Sequence, residues 1–464
     1  MSGRRAGART GAGRVALGAA ALVVLAATPA CDWRDFDSLK NQTPVAKTGA
    51  PAGYPVPQDF GGVLLPVSPP ADGSAAARYL VAATGQTGLA AISFDARGVA
   101  SGAAITGGAL DALAGEPIWS MAEVKTARKA LLGAPGGLSG SLLLVDLDPP
   151  YAVAPFFAAS EPQLGAGVAA GPLGGGAADD LVALSSTTLH VFVDGQTAGT
   201  NAYYTDPGTA SACPIFLSGG LVPRYRTNRA VLIADLLGAG SRQLAVGTPS
   251  AAGAGAVAIF TVDTTAGAAA CALTLTAPGG ENAFGAALAA GDFDGDGVPD
   301  LLVGAPPTHA YLYRGPLSSA TSPATLSGTG GLSYGAAVAA MDLDGIKGDE
   351  ALIADPDATV AGQMTAGSVS IRTGPSLGTV VAPTPAVTVL ADQSPSSGEE
   401  YGSVVAALPF CTTASPPADG GGPPDAGADA SALQSCTPVL IPLVGASAHV
   451  FTYFALGPFD PRAK

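Results

Sequence analysis

The feature that most constrains the fold is an internal repeat, whose clearest copy is Phe284 to Pro306, FGAALAAGDFDGDGVPDLLVGAP. This copy opens with an aromatic residue and a glycine, continues as a small apolar run, and passes through an acidic turn. It ends as a second apolar run at Gly-Ala-Pro. An acidic turn between two apolar runs indicates a loop that joins two antiparallel strands. The repeat predicts that the chain is built from copies of one β unit.

Related units recur along the chain, each with a third apolar run after the second. The units begin near Phe60, Trp119, Leu164, Arg229, Phe284, Tyr334 and Tyr401. Further apolar runs between units, at 151–157, 272–277 and 386–391, supply fourth strands. Four strands repeated seven times predict an all-β, seven-bladed β-propeller, because packed blades cover the faces that a single sheet leaves exposed. The segment 122–132 has helix propensity, but its alignment with Gly-Ala-Pro at 133–135 predicts a turn and a strand.

The acidic turn of the clearest unit has the spacing of a calcium loop. Asp292, Asp294, Asp296 and Asp300 stand at positions 1, 3, 5 and 9, and the carbonyl of Val298 would supply position 7. Ca²⁺ takes six to eight hard oxygen ligands, and alternating carboxylates around glycines can supply them. The sequence therefore predicts a Ca²⁺ site in this turn; the alternative is an acidic turn without an ion.

The turn of the sixth unit is a weaker copy of the same pattern. Asp342 and Asp344 stand at positions 1 and 3, Gly348 at position 7 and Glu350 at position 9. Ile346 replaces the carboxylate of position 5. With one ligand missing, this turn is predicted to bind Ca²⁺ more weakly than the first.

The unit at 284–306 resembles an FG-GAP repeat, the building block of the N-terminal β-propeller of integrin α subunits. The resemblance implies that Ca²⁺ stiffens hairpins on one face of the propeller in a structural role. It also implies a non-enzymatic module that binds a protein or polysaccharide through its loops. The alternatives are a polysaccharide lyase or hydrolase with Asp or Glu in the central channel, and a purely structural envelope protein.

Residues that would support catalysis are scarce. The three histidines, His190, His309 and His449, belong to the third runs of different units, so a ring of blades would hold them apart. The chain has no GxSxG elbow with partners and no GxGxxG between a strand and a helix. The sequence therefore predicts a protein that is not an enzyme.

The first 30 residues have the form of a secretion signal, with four arginines before an apolar run at 15–27. That run is shorter than a membrane span requires. The sequence Thr-Pro-Ala-Cys at 28–31 resembles a lipobox, which predicts a lipid on Cys31 and an anchor in the inner or outer membrane of the envelope. The alternative is ordinary cleavage after Ala30. Residues 31–57 are predicted to be a tether and 58–464 the propeller.

The charge of the chain after the signal argues against nucleic acid as a partner. Removing the four signal arginines leaves 17 Lys and Arg against 36 Asp and Glu, a net charge of −19. Phosphate binding requires clustered basic residues. The balance instead suits cation-binding, extracytoplasmic material.

The five cysteines become four if Cys31 carries a lipid, enough for two disulfides in an oxidising compartment. Cys411 and Cys436 bracket a low-complexity insertion at about 412–435, predicted to be disordered, and a disulfide would close its base. Cys213 and Cys271 would then pair by elimination. The last unit has no fourth strand after Phe454, so ring closure is predicted to use the segment before Phe60.

Overall fold

The computed structural model describes residues 45–70, 73–83, 85–136, 139–174, 176–197, 201–206, 213–215, 231–249, 254–281, 283–328, 333–343, 347–372, 388–392, 394–411 and 439–453. These residues form almost entirely β structure. Their strands make seven sheets of four antiparallel strands each. The prediction of an all-β, seven-bladed propeller is confirmed.

Each blade takes four strands that follow one another in the chain, apart from the outermost strand of the last blade. Blade 1 contains β2 (Val63–Val67), β3 (Ala77–Ala82), β4 (Leu89–Phe94) and β5 (Ala100–Ile105); blade 2 contains β6 (Ser120–Val124), β7 (Lys129–Ala134), β8 (Gly140–Asp146) and β9 (Val153–Ala159). Blade 3 contains β10 (Gly167–Gly171), β11 (Asp180–Leu184), β12 (Thr188–Phe192) and β13 (Ala202–Thr205); blade 4 contains β14 (Val231–Ala234), β15 (Gln243–Thr248), β16 (Ala256–Asp263) and β17 (Ala268–Thr276). Blade 5 contains β18 (Ala287–Gly291), β19 (Asp300–Ala305), β20 (His309–Tyr313) and β21 (Ala324–Ser327); blade 6 contains β22 (Val338–Met341), β23 (Glu350–Asp355), β24 (Ser368–Arg372) and β25 (Thr388–Leu390). Blade 7 contains β26 (Val404–Phe410), β27 (Val439–Gly445), β28 (His449–Tyr453) and β1 (Val45–Gly49).

The first strand of each blade contacts the first strand of the next, and these contacts close a ring. They run from β2 through β6, β10, β14, β18, β22 and β26, and β26 contacts β2 again. The apolar clusters of the core lie between neighbouring blades, since each combines side chains from two of them. Stacked blades therefore bury the sheet faces that the repeat pattern leaves apolar.

The outer strand of blade 7 comes from the N-terminal side of the chain. Residues Val45–Gly49 pair antiparallel with β28, which is the closure predicted from the segment before Phe60. Lys47 adds ion pairs to Asp392 (2.8 Å) and Glu399 (3.0 Å). The predicted tether of 31–57 is therefore too long, because residues 45–49 belong to the propeller. Without them, the edge of β28 would expose its backbone hydrogen-bonding groups.

Aromatic–glycine pairs pack blades 1, 5, 6 and 7 against the blade before them, and Leu164–Gly165 does the same in blade 3. The first residues of these pairs are at most 3% exposed, namely Phe60, Leu164, Phe284, Tyr334 and Tyr401. The glycine that follows Phe284 has a φ of +87°, and a Cβ on it would lie 2.6 Å from the carbonyl oxygen of Ala256 in blade 4. Only glycine allows this backbone approach without strain.

The segment 122–132 follows the repeat rather than its helix propensity. Strand β6 continues to Val124, a short 3₁₀ turn spans Lys125–Ala127, and β7 begins at Lys129. The other 3₁₀ helices among the described residues lie in connections between strands and are Pro57–Asp59, Gly108–Leu113 and Val193–Gly195. None of the described residues forms a helix long and apolar enough to span a bilayer.

Cys213 and Cys271 form a disulfide, with their Cα atoms 5.7 Å apart. It joins the connection after blade 3 to the outer strand of blade 4. Cys411 is also disulfide-bonded. Its predicted partner Cys436, the predicted insertion at about 412–435, the signal at 1–30 and Cys31 lie outside the described residues.

Candidate metal centre

The acidic turn of blade 5 belongs to a loop frame that four blades share. Residues 292–299 join β18 to β19, and the flanking residues Gly291 and Asp300 are paired across the two strands. Loops 172–179, 235–242 and 342–349 are framed by the same register in blades 3, 4 and 6. The nine positions of the calcium pattern can therefore be compared from blade to blade.

Three of the four predicted carboxylates meet in the blade 5 loop. One oxygen from each of Asp292, Asp294 and Asp296 lies within 4.8 Å of the others. The loop's own amides fix these side chains: Gly297 N donates to Asp292 Oδ2 (2.9 Å) and Val298 N donates to Asp296 Oδ1 (2.7 Å). Asp296 N donates to Asp294 Oδ1 (3.1 Å). The turn thus gathers hard oxygen donors of the kind that Ca²⁺ prefers.

Asp292 carries an oxygen that the described part of the chain does not satisfy. Its Oδ1 is buried and has no hydrogen-bond partner. The residue at the same position in blade 4, Asp235, accepts from Ala239 N (3.1 Å) with one oxygen and from Gly240 N (2.9 Å) with the other. A buried carboxylate oxygen without a partner is costly. The donor set therefore fits a bound cation in blade 5.

One protein cation lies at the edge of this group. Arg314, just after β20, places Nη1 3.2 Å from Asp294 Oδ2. A partly solvent-accessible pair of this kind contributes little stability by itself. It offsets part of the repulsion among the three carboxylates, and it would compete with a metal for one Asp294 oxygen.

Asp300, the predicted ligand of position 9, has another role in the structure. It is fully buried, with Oδ2 accepting from Phe293 N (3.0 Å) and Oδ1 from Gly315 N (2.8 Å). Burial raises the pKa of Asp300 to about 6, and the charges of Asp294 and Asp296 add to the rise. The structure does not bring this carboxylate into the group of three.

The same role recurs at position 9 of the other framed loops. Asp180 accepts from Leu173 N (2.8 Å), Gln243 Oε1 from Leu237 N (3.0 Å), and Glu350 Oε2 from Leu343 N (2.8 Å). All three are at most 2% exposed. Sequence reasoning missed this function. The signal was available in Gln243, a polar residue kept at position 9 of a turn that has lost most of its carboxylates.

The structure describes part of the predicted second metal site in blade 6. Glu350 uses one oxygen to hold its own turn, and Asp344 lies outside the described residues. Gly348 has a left-handed φ of +115°, which fits its place in a tight turn. Asp342 lies near Asp349, whose pKa is raised by burial and by the charges of Asp342 and Asp292. The weaker Ca²⁺ site at Asp342, Asp344, Gly348 and Glu350 stays a prediction.

Comparison with known proteins identifies the repeat. The FG-GAP repeat family model matches residues 284–312, which cover β18, β19 and most of β20. The protein is a seven-bladed β-propeller that carries an FG-GAP repeat. No curated protein matches its sequence. One similar solved structure is the β-propeller domain of Cps50 (Swd1) from Myceliophteria thermophila, at 13% identity over 79% of this chain and 96% of that one, with a TM-score of 0.45.

The histidines of the propeller lie on the third strands of blades 3, 5 and 7, as predicted. His190 Nε2 lies 3.0 Å from Glu161, and His309 Nδ1 lies 3.3 Å from Glu281. Both glutamates come from the connection that enters the blade, before Leu164–Gly165 in blade 3 and before Phe284–Gly285 in blade 5. A glutamate from the connection thus pairs with a histidine on the third strand in two blades. This recurrence is consistent with a structural contact that belongs to the repeat.

The inner strands of the propeller are mainly apolar. Among the seven described first strands, Glu123 on β6 is the single ionisable residue. Its Oε1 accepts a hydrogen bond from Ser68 N (2.7 Å) in blade 1. The one carboxylate on the described inner strands is therefore engaged by a backbone amide of the neighbouring blade.

Proposed function

We propose that the protein is an exported, envelope-anchored binding module whose propeller is stabilised by Ca²⁺. In this proposal the ion is bound in the blade 5 loop. A protein or polysaccharide ligand is bound by loops on one face of the ring. The module has no catalytic role.

The acidic loop of blade 5 is the observation that supports Ca²⁺ binding. Asp292, Asp294 and Asp296 would hold the ion, and the buried Oδ1 of Asp292 would gain the partner that it lacks among the described residues. The ion would supply positive charge to a turn with three neighbouring carboxylates. Such a turn would then resist opening, because the ion binds the folded loop and not the unfolded chain.

Export is supported by the N-terminal sequence and by the cysteines. Residues 1–30 have the composition of a signal, and Cys31 follows a segment that resembles a lipobox. The disulfide between Cys213 and Cys271 suits an oxidising compartment. A lipid on Cys31 would leave residues 32–44 as the span between the membrane and β1.

The ligand class rests on the likeness to integrin α propellers, since a propeller fold by itself does not determine function. The net charge of −19 after the signal disfavours nucleic acid. The short connections of a propeller present loops on a rigid ring, which suits binding of a large partner.

Two measurements test the proposal. The protein without residues 1–30 is screened against envelope polysaccharides and against fractionated envelope proteins, with and without Ca²⁺. Saturable binding of one ligand without turnover is expected, whereas release of hydrolysis or lyase products would overturn the non-enzymatic assignment. Fractionation of cells that express the full chain or Cys31→Ser tests the anchor, and equal membrane recovery of both would refute it.

A further inference from the structure

In two of the four framed loops, those of blades 3 and 6, the residue at position 8 contacts the first turn of the preceding blade. Asp179 of blade 3 accepts with Oδ2 from Thr126 N (3.0 Å) in blade 2, and Asp179 N donates to Thr126 Oγ1 (3.0 Å). Asp349 of blade 6 accepts with Oδ2 from Asp292 N (2.8 Å) in blade 5, and Asp349 N donates to Asp292 O (2.8 Å). In both places one aspartate makes a reciprocal pair across a blade interface.

The second of these pairs fixes the first residue of the candidate metal centre. Asp349 holds both the backbone N–H and the carbonyl of Asp292. The Asp292 side chain is fixed separately by Gly297 N, which leaves the buried Oδ1 available. The position of that oxygen therefore depends on a residue from the neighbouring blade.

The backbone around this contact is shaped for close approach. A Cβ on Gly291 would lie 2.5 Å from Asp349 Oδ2 and 2.7 Å from the Cβ of Ala340 in blade 6. A Cβ on Gly295 would lie 3.1 Å from Lys347 Cγ and 3.2 Å from the Lys347 carbonyl oxygen. The blade 6 loop thus supports the acidic loop at two points.

We propose that Asp349 is a positioning residue for the cation of blade 5, so that cation binding and the blade 5–blade 6 interface stabilise each other. The inference rests on the proposed Ca²⁺ site. Asp349 touches the backbone of a ligand residue and acts through it, and it is not itself a ligand. Coupling of this kind is reciprocal: a contact that favours ion binding is strengthened by the ion to the same extent.

Three variants of the whole chain separate this role from general destabilisation. Asp349→Ala removes the carboxylate that accepts from Asp292 N–H and keeps the backbone hydrogen bond from residue 349 N to Asp292 O. Asp349→Asn keeps an oxygen that can accept from Asp292 N–H. Asp179→Ala removes the equivalent contact in blade 3, where the contacted turn of blade 2 contains no carboxylate. Affinity is measured by isothermal titration with Ca²⁺ alone after chelator treatment, and circular dichroism checks that each variant is folded.

Asp349→Ala is expected to lower the Ca²⁺ affinity about tenfold, the usual worth of one hydrogen bond to a charged group. Asp349→Asn is expected to stay within about threefold of wild type, and Asp179→Ala to bind Ca²⁺ as wild type does while melting at a lower temperature. Wild-type affinity in Asp349→Ala, or an equal loss in Asp179→Ala, would overturn the inference while leaving the Ca²⁺ site intact. A wild-type chain that binds no Ca²⁺ would refute the proposed function and this inference with it.

Discussion

The close contact between blades 4 and 5 at Gly285 should be disrupted when a methyl group is added to this glycine. This glycine follows Phe284 and has a φ of +87°, and a Cβ on it would meet Ala256 O at 2.6 Å, Gly247 Cα at 3.1 Å and Thr248 N at 3.1 Å. All three atoms are backbone atoms of blade 4. They cannot move aside as a flexible side chain would, so the two blades must separate slightly or β18 must shift.

Two costs add in the Gly285→Ala variant. A non-glycine residue in the left-handed region costs about 1 kcal/mol. Overpacking against rigid backbone costs a further 1–3 kcal/mol, roughly. Gly280, in the connection just before Phe284, has a φ of +76° with no atom within 4 Å of a Cβ. The Gly280→Ala variant is therefore destabilised by the left-handed backbone conformation alone and serves as the matched control.

Urea denaturation followed by tryptophan fluorescence and circular dichroism measures both variants against wild type. We expect Gly280→Ala to lose about 1 kcal/mol and Gly285→Ala about 2–4 kcal/mol of unfolding free energy. Equal losses in the two variants would refute the close contact between blades 4 and 5, because they would show that the backbone of blade 4 does not resist the added methyl group.

Three further predictions address the pH response, the acidic loop and ring closure. Burial raises the pKa of Asp355 to about 6, so ionisation of this carboxyl lowers the stability of the fold as the pH rises through that value. Asp355→Asn should therefore stabilise the protein at pH 7 by at most about 2–3 kcal/mol. Melting curves recorded at a series of pH values should show that this gain vanishes below about pH 4. Arg314→Gln frees an oxygen of Asp294 and should raise Ca²⁺ affinity in a titration by about two- to fivefold, and reduced affinity would contradict the competition. Deleting residues 1–49 removes β1 and should lower the melting temperature well below that of a 1–44 deletion, whereas equal melting temperatures would contradict closure by this strand.

Much of the fold could be predicted because the repeat fixes strand order locally. Phe284, Tyr334 and Tyr401 mark where units begin, and the Gly-Ala-Pro endings mark the second strands. The alignment of 122–132 with its relatives correctly overrode helix propensity. Repetition alone could not define where the ring starts, since β1 is separated from its partner β28 by most of the chain.

The candidate metal centre was predicted less completely, because part of the contacts that hold its residues comes from a neighbouring blade. Position counting found Asp292, Asp294 and Asp296, which lie within one turn. It also assigned Asp300 as the ligand of position 9, although the carboxylate of this residue accepts from backbone amides of its own turn and of Gly315, just after β20. It also could not find Asp349, since spacing in one unit carries no information about contacts with the next.

The most direct test of the account is the number of Ca²⁺ ions that chelator-treated protein binds. Isothermal titration of wild type should give one tight site per chain, and Asp292→Asn should abolish it because that change removes the charge at position 1. At a free Ca²⁺ concentration 100 times the dissociation constant, the ion should add about 2.7 kcal/mol of stability, visible as a higher melting temperature that chelator reverses. A wild-type chain that binds no Ca²⁺ and melts identically with ion and with chelator would contradict the account.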